Sequence, residues 1–148
     1  MEIAILALGC FWGPEQKFSK IEGIIRTEVG YCGGNTEKTT YKDVCTGATN
    51  HAEVVKLEYD EKTITYEDIL EYFFEFHDPT TLNSQGYDFG TQYRSEIFYL
   101  NEKQKMSAEK MIEAENKKLN GKVVTQLSLL KNYCTAEEYH QKYLDKKF

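Results

Sequence analysis

Apolar residues run without a break from Ile3 to Leu8, the pattern of an interior strand covered on both faces rather than one half exposed to water. Gly9 ends the run, and Pro14 fits the first turn of a helix over about 13–20, where its missing N–H leaves no bond unmade. Ile21–Tyr31 reads as a second strand, broken at Gly33-Gly34-Asn35, and Thr40–Val44 as a short helix ending near Gly47. His51–Tyr59 predicts a third strand. Thr65, with Asp68 three residues on, caps a helix whose Ile69, Leu70, Phe73 and Phe74 form one apolar stripe. From Asp78 to Gln92 neither period appears, and so long a patternless stretch in a compact domain marks a functional or a disordered segment. Arg94–Leu100 predicts a fourth strand. Asn101 and Gln104 cap a helix carrying Ala108, Ile112, Glu115 and Leu119 on one side, closed by Gly121. A strand at Val123–Leu129 and a terminal helix from about Thr135 finish the chain. The order β-α-β-(α)-β-α-β-α-β-α predicts an α/β (α+β) two-layer sandwich, its mixed sheet built on a ferredoxin-like split β-α-β core.

The chain has 148 residues, 41% of them hydrophobic and 14% aromatic, which predicts one packed domain over 1–148. Such a length buries roughly two thirds of the unfolded surface. Net charge is −6 with no basic run, so neither nucleic acid nor an anionic membrane is an expected partner. No apolar stretch reaches membrane-spanning length. Leu6-Ala7-Leu8-Gly9-Cys10 looks like the end of a lipoprotein signal, but its apolar region is six residues long and follows Glu2 instead of a basic segment. The expectation is a mature, cytoplasmic protein. Cys10, Cys32, Cys45 and Cys134 contain no C-x-x-C pair, which removes the thioredoxin motif and the common zinc-ribbon spacings. No metal site is expected, and reduced thiols are the default for a domain of this size without a secretory signal.

Chemistry concentrates at Gly9-Cys10-Phe11-Trp12-Gly13, where a strand gives way to a helix. A cysteine just before a helix N-terminus meets free N–H groups and partial positive charge, which favour thiolate. Phe11 and Trp12 beside it form an apolar wall for a small apolar group. The five residues alone leave a buried structural cysteine equally open. On the third strand, alternation sends Glu53 to the face of Val55, Leu57 and Tyr59, with Lys56 and Glu58 on the other. Burial there raises a carboxyl pKa and keeps it protonated near neutral pH, as a general acid requires. A Glu53 at the strand end that simply reaches solvent is the alternative. The long segment adds His77, Asp78, Asp88 and, at its exit, Tyr93, with Gly86 and Gly90 allowing close backbone approach. His51 and His140 read as structural, hydrogen-bonded histidines. Two other functions fit part of this set: a cysteine hydrolase with Cys10 as nucleophile and His51 as base, and a binding module with an aromatic groove.

The motifs resemble those of the type A methionine sulfoxide reductases. Beyond Gly9–Gly13, the matching blocks are Val29-Gly30-Tyr31-Cys32-Gly33-Gly34, Tyr41-Lys42-Asp43-Val44-Cys45, His51-Ala52-Glu53-Val54-Val55 and His77-Asp78-Pro79-Thr80-Thr81. Gln85-Gly86-Tyr87-Asp88-Phe89-Gly90-Thr91-Gln92-Tyr93-Arg94-Ser95 and Ala136-Glu137-Glu138-Tyr139-His140-Gln141 follow. They are collinear from residue 9 to about 143. The resemblance implies an enzyme that reduces the S epimer of methionine sulfoxide, free or in proteins, and so repairs oxidised proteins. Cys10 is then the nucleophile that becomes a sulfenic acid, and Glu53 the acid that protonates the sulfoxide oxygen. Tyr41 and Tyr93 hold that oxygen, Asp88 orders water or substrate backbone, and Phe11 and Trp12 receive the substrate methyl. No bound cofactor is implied. The reductant is an external thiol: thioredoxin, glutaredoxin or, in vitro, dithiothreitol. Some family members carry selenocysteine at the position of Cys10.

Three departures stand out. Many members end in a glycine-rich tail with recycling cysteines, and here the chain stops at Phe148, so the sulfenic acid is expected to be reduced by the external thiol or through Cys134 or Cys32. Cys45 occupies a position not usually given that role. Asn50 replaces the usual glycine before His51, and Ser84 a frequent arginine before Gln85. A monomer is the default assembly.

Overall fold

The computed structural model describes residues 1–147. In chain order, β1 (Glu2–Leu8), α1 (Trp12–Ser19), β2 (Ile24–Cys32), the one-turn helix α2 (Tyr41–Cys45) and β3 (Ala52–Tyr59) are followed by α3 (Tyr66–Phe76) and a hairpin of two-residue strands, β4 (Ser84–Gln85) and β5 (Asp88–Phe89). Then come β6 (Ser95–Tyr99), α4 (Glu102–Lys118), β7 (Gln126–Leu129), β8 (Cys134–Thr135) and α5 (Tyr143–Lys147). Six strands form the main sheet in the order β7-β6-β1-β3-β2-β8. Its four central strands, β6-β1-β3-β2, are antiparallel throughout and reproduce the ferredoxin-like plait. The mixed character comes from β7, which pairs parallel to β6, while β8 extends the other edge antiparallel to β2.

The unbroken apolar run of β1 has its cause here: β1 is central and both of its faces are covered. Ala4, Leu6 and Leu8 point to the helix layer, against Phe18 of α1 and Ile69, Leu70 and Phe73 of α3. Ile5 and Ala7 join Cys32, Ala52, Val54 and Phe98 on the reverse face, covered by Leu130 and Tyr133. Both long helices start as the side chains predict. Thr65 and Asp68 exchange the reciprocal bonds of a capping box, and the Asn101 side chain accepts from the Gln104 N–H.

Of the two alternatives for the 78–92 stretch the disordered one falls away, and the end of the chain differs from the sequence expectation. The patternless stretch is ordered by its own polar groups: the Thr80 N–H and hydroxyl donate to Asp78, and Gln85 Nε2 donates to the Asp78 carbonyl at 2.6 Å. The terminal helix expected from Thr135 is absent at that point. β8, a 3-10 turn at Glu138–His140 and only then α5 occupy the segment. The reason lies in its side chains, which bond to distant backbone: Gln141 Oε1 accepts from the Val29 N–H and Gln141 Nε2 donates to the Val29 carbonyl, each at 2.9 Å. Among the described residues no helix is long and apolar enough to cross a membrane.

Candidate active site

Gly9 turns the chain out of β1 with φ +92°, and a Cβ there would lie 2.7 Å from Gln85 Cγ. Only glycine tolerates both the backbone and the contact. Cys10 follows, half-buried, and Phe11 is the N-cap of α1 with no side-chain capping bond. The start of α1 therefore leaves N–H groups free at the thiol, and the Trp12 N–H bonds the sulfur. The sequence expectation that this position favours thiolate is corrected by burial. Desolvation outweighs the Trp12 bond and, with the charges of Glu53 and Asp88 adding to it, pushes the Cys10 thiol up to about 12.

Glu53 stands on β3 opposite Tyr31 of β2, on the same face as Val55 and Leu57, and is 1% exposed. The alternative in which it reaches solvent is thereby removed. Its Oε1 accepts the Phe11 N–H at 3.3 Å, which ties the carboxyl to the residue after Cys10. Its Oε2 is buried with no hydrogen-bond partner among the described residues. Burial raises the Glu53 carboxyl from 4.5 to about 8, the Phe11 N–H opposing and the Asp88 charge reinforcing the shift. At neutral pH the pair is thus a thiol and a carboxylic acid.

Two tyrosines come from separate elements. Tyr41 opens α2, whose N-cap Thr40 accepts from the Asp43 N–H, while the Tyr41 N–H donates to Glu137 Oε2 at 2.9 Å. Tyr93 leaves the 3-10 turn Thr91–Tyr93 at the end of the long segment. Burial and the Glu53, Asp88, Cys45 and Cys10 groups push its phenol up to about 12, and burial likewise raises Tyr41, so both are hydroxyl donors. Asp88 lies exposed on β5, close enough for its charge to act on Cys10, Glu53 and Tyr93.

The aromatic wall is held by a residue read from sequence only as structural. Trp12 Nε1 donates to His140 Nδ1 at 3.1 Å, and the indole stacks on Tyr143 with centroids 3.9 Å apart. Phe11 lies 5.2 Å from the His140 ring and Tyr41 4.4 Å. Accepting at Nδ1 requires a neutral His140, and burial lowers its pKa accordingly. Glu137 is the other residue that sequence reasoning missed: besides Tyr41, its Oε1 accepts the Tyr31 hydroxyl at 2.8 Å. A polar run after the last strand carries no period that separates such anchors from a solvated surface, so only the Glu137–Gln141 motif itself could have marked them.

The structure brings Cys10, Glu53, Tyr41, Tyr93, Asp88, Phe11 and Trp12 to one end of the sheet. It does not bring every thiol there. Cys32 is fully buried on the reverse face, where its Sγ donates to the Lys131 carbonyl. Cys134 pairs with Tyr31 on β8 at the sheet edge. His51 is buried behind Gly34, its pKa lowered by burial, and the groups that act on it are Thr36, Asn132 and Arg94 rather than Cys10. The hydrolase pair therefore has no geometric support. His77 is also structural, between the Phe73 carbonyl at 2.6 Å and Ser95 Oγ at 2.7 Å. No group of three or more potential metal-ligating side chains occurs among the described residues.

Comparison with known proteins gives the same direction. Residues 2–148 match the family model described as peptide methionine sulfoxide reductase. The chain is 71% identical over 147 residues to the peptide methionine sulfoxide reductase MsrA of Pelagibacter ubique, covering 99% of this chain and all of that one. The crystal structure of Mxr1 from Saccharomyces cerevisiae in reduced form superposes with a TM-score of 0.94 at 42% identity, over 98% of this chain and 84% of that one. The structure of Mxr1 in complex with Trx2 superposes with a TM-score of 0.68 at 28% identity, over 96% of this chain and 84% of that one. The chain belongs to the peptide methionine sulfoxide reductase family, enzymes that return methionine sulfoxide to methionine.

Proposed function

We propose that this chain reduces the S epimer of methionine sulfoxide, free or in oxidised proteins, through a sulfenic acid on Cys10. The observation that carries the reading is the buried Glu53 carboxyl, held by the Phe11 N–H beside the Cys10 thiol and raised to about 8. A sulfoxide oxygen leaves sulfur only when protonated, and Glu53 is an acid that keeps its proton at neutral pH. Tyr41 and Tyr93 donate to the same oxygen, so hydroxyls stand where negative charge would build. Proton transfer from Glu53 makes the sulfoxide sulfur electrophilic, and the positive charge so created favours loss of the Cys10 proton.

Cys10 sulfur then attacks the sulfoxide sulfur. Collapse of the adduct moves the oxygen to Cys10 and releases methionine, while the thiol proton restores Glu53. The substrate sulfur gains two electrons and Cys10 loses two. Phe11 and Trp12 receive the substrate methyl, and Asp88 at the mouth orders substrate backbone or water. In the R epimer, methyl and oxygen exchange places, and the three donors face an apolar group. An external thiol of the thioredoxin or glutaredoxin type completes the cycle, as does dithiothreitol in vitro; the Mxr1 complex with Trx2 supports the first. We assign residues 1–148 to one catalytic domain, acting as a monomer in the reducing cytoplasm.

The test is methionine formation from each separate epimer of a blocked methionine sulfoxide, with dithiothreitol, by wild type and Cys10→Ser. Turnover of the S epimer alone, abolished by the substitution, is the expected result. Turnover by Cys10→Ser, or none by folded wild type, would refute the assignment.

A further inference from the structure

Of the four cysteines, Cys45 is the exposed one. It closes α2, the helix that Tyr41 opens, and residues four apart lie on one helix face. The Cys45 thiol interacts with the Tyr41 hydroxyl, and Tyr93 feels both Cys45 and Cys10. Tyr93 thus lies within reach of both thiols, and Cys45 also meets Tyr41. A second path of contacts runs from Tyr41 to the His140 ring and from that ring to Phe11, the residue after Cys10.

The other two thiols lie elsewhere on the sheet. Cys32 is on the reverse face of the sheet. Glu53, Tyr31 and Cys134 stand in one row across β3, β2 and β8, so about 10 Å and the Tyr31 ring separate Cys134 from the Glu53 position.

We propose that Cys45 is the resolving thiol of this enzyme. The inference rests on the reading of Cys10 given above. Cys45 sulfur attacks the sulfur of the Cys10 sulfenic acid, a Cys10–Cys45 disulfide forms, and the hydroxyl leaves as water with the Cys45 proton. A disulfide needs the two Cα atoms within about 7 Å, so α2 must approach Cys10 once methionine has left. The helix is suited to move. It is a single turn followed by the Gly47 turn, and of its five residues only Val44 is buried. An external dithiol then attacks the exposed Cys45 sulfur, releases the Cys10 thiol and is itself oxidised to a disulfide.

The experiment oxidises wild type, Cys45→Ser and Cys134→Ser with one equivalent of methionine S-sulfoxide, without reductant. Intact mass and non-reducing peptide mapping follow. Wild type and Cys134→Ser should each become lighter by two hydrogens and yield a peptide pair joining Cys10 to Cys45. Cys45→Ser should instead become heavier by one oxygen, captured by dimedone, and its steady rate with a thioredoxin-type dithiol should fall about tenfold. A Cys10–Cys134 disulfide, or a wild-type chain that stays at the sulfenic acid, overturns the assignment. Methionine released by wild type in the same tube reads the first step. One equivalent without a disulfide sinks the resolving role alone, whereas none sinks the reading of Cys10 with it.

Discussion

Replacing Glu53 by glutamine should cripple the enzyme and stabilise it. A buried carboxyl raised to about 8 binds its proton more tightly in the folded chain than in the unfolded one, where it titrates near 4.5. Its contribution to stability is therefore fully present below pH 4.5 and is lost as pH rises toward 8. At about 1.4 kcal/mol per pH unit, the interval from 4.5 to 7 is worth about 3 kcal/mol against the native state. Glutamine has nearly the same shape, can accept the Phe11 N–H through its amide oxygen, and does not titrate. The stability of Glu53→Gln minus that of wild type should therefore grow by about 3 kcal/mol between pH 4 and pH 7. Urea unfolding of both proteins at several pH values measures this, since the titrating groups away from the site are common to the two and cancel. Activity should move the other way. Glu53→Gln should lose about a thousandfold in kcat/KM for want of a proton donor. Wild type should lose activity progressively above about pH 8, as Glu53 ionises. A stability difference that stays flat from pH 4 to pH 7 would refute the reasoning, because it would mean that burial does not hold the proton on Glu53.

Two further substitutions probe the same site. Tyr41→Phe and Tyr93→Phe should each lower kcat/KM on the blocked S-sulfoxide by about a hundredfold, since each deletes one donor to the developing charge; a loss under twofold in both would remove the tyrosines from the mechanism. Gly34→Ala should cost about 3 kcal/mol of stability, because a Cβ there would fall inside the buried His51 ring; an unchanged urea midpoint would show that the ring can yield.

Much of this molecule was legible along the chain because local physics is written locally. The capping pairs Thr65–Asp68 and Asn101–Gln104, the stripe of α3 and the parity of Glu53 on β3 follow from side-chain chemistry and period alone, and each stands in the structure where the pattern put it. The motif spacing that resembles the family did more, joining residues more than eighty positions apart into one site before any fold was known. The expectations that changed depend on distance in space. The thiolate expected at Cys10 followed from the helix start beside it, but the sign of its shift belongs to burial, which no neighbour in sequence reports. The expected terminal helix gave way because Glu137, His140 and Gln141 bond to Tyr31, Tyr41, Trp12 and Val29, partners 96 to 128 positions away that a periodicity window cannot see. Sequence alone determined the fold class, the candidate nucleophile and the candidate acid, since these rest on period and residue type. Tertiary structure alone decided the protonation state of the pair and which cysteine shares the tyrosines, since desolvation and proximity are properties of the packed chain.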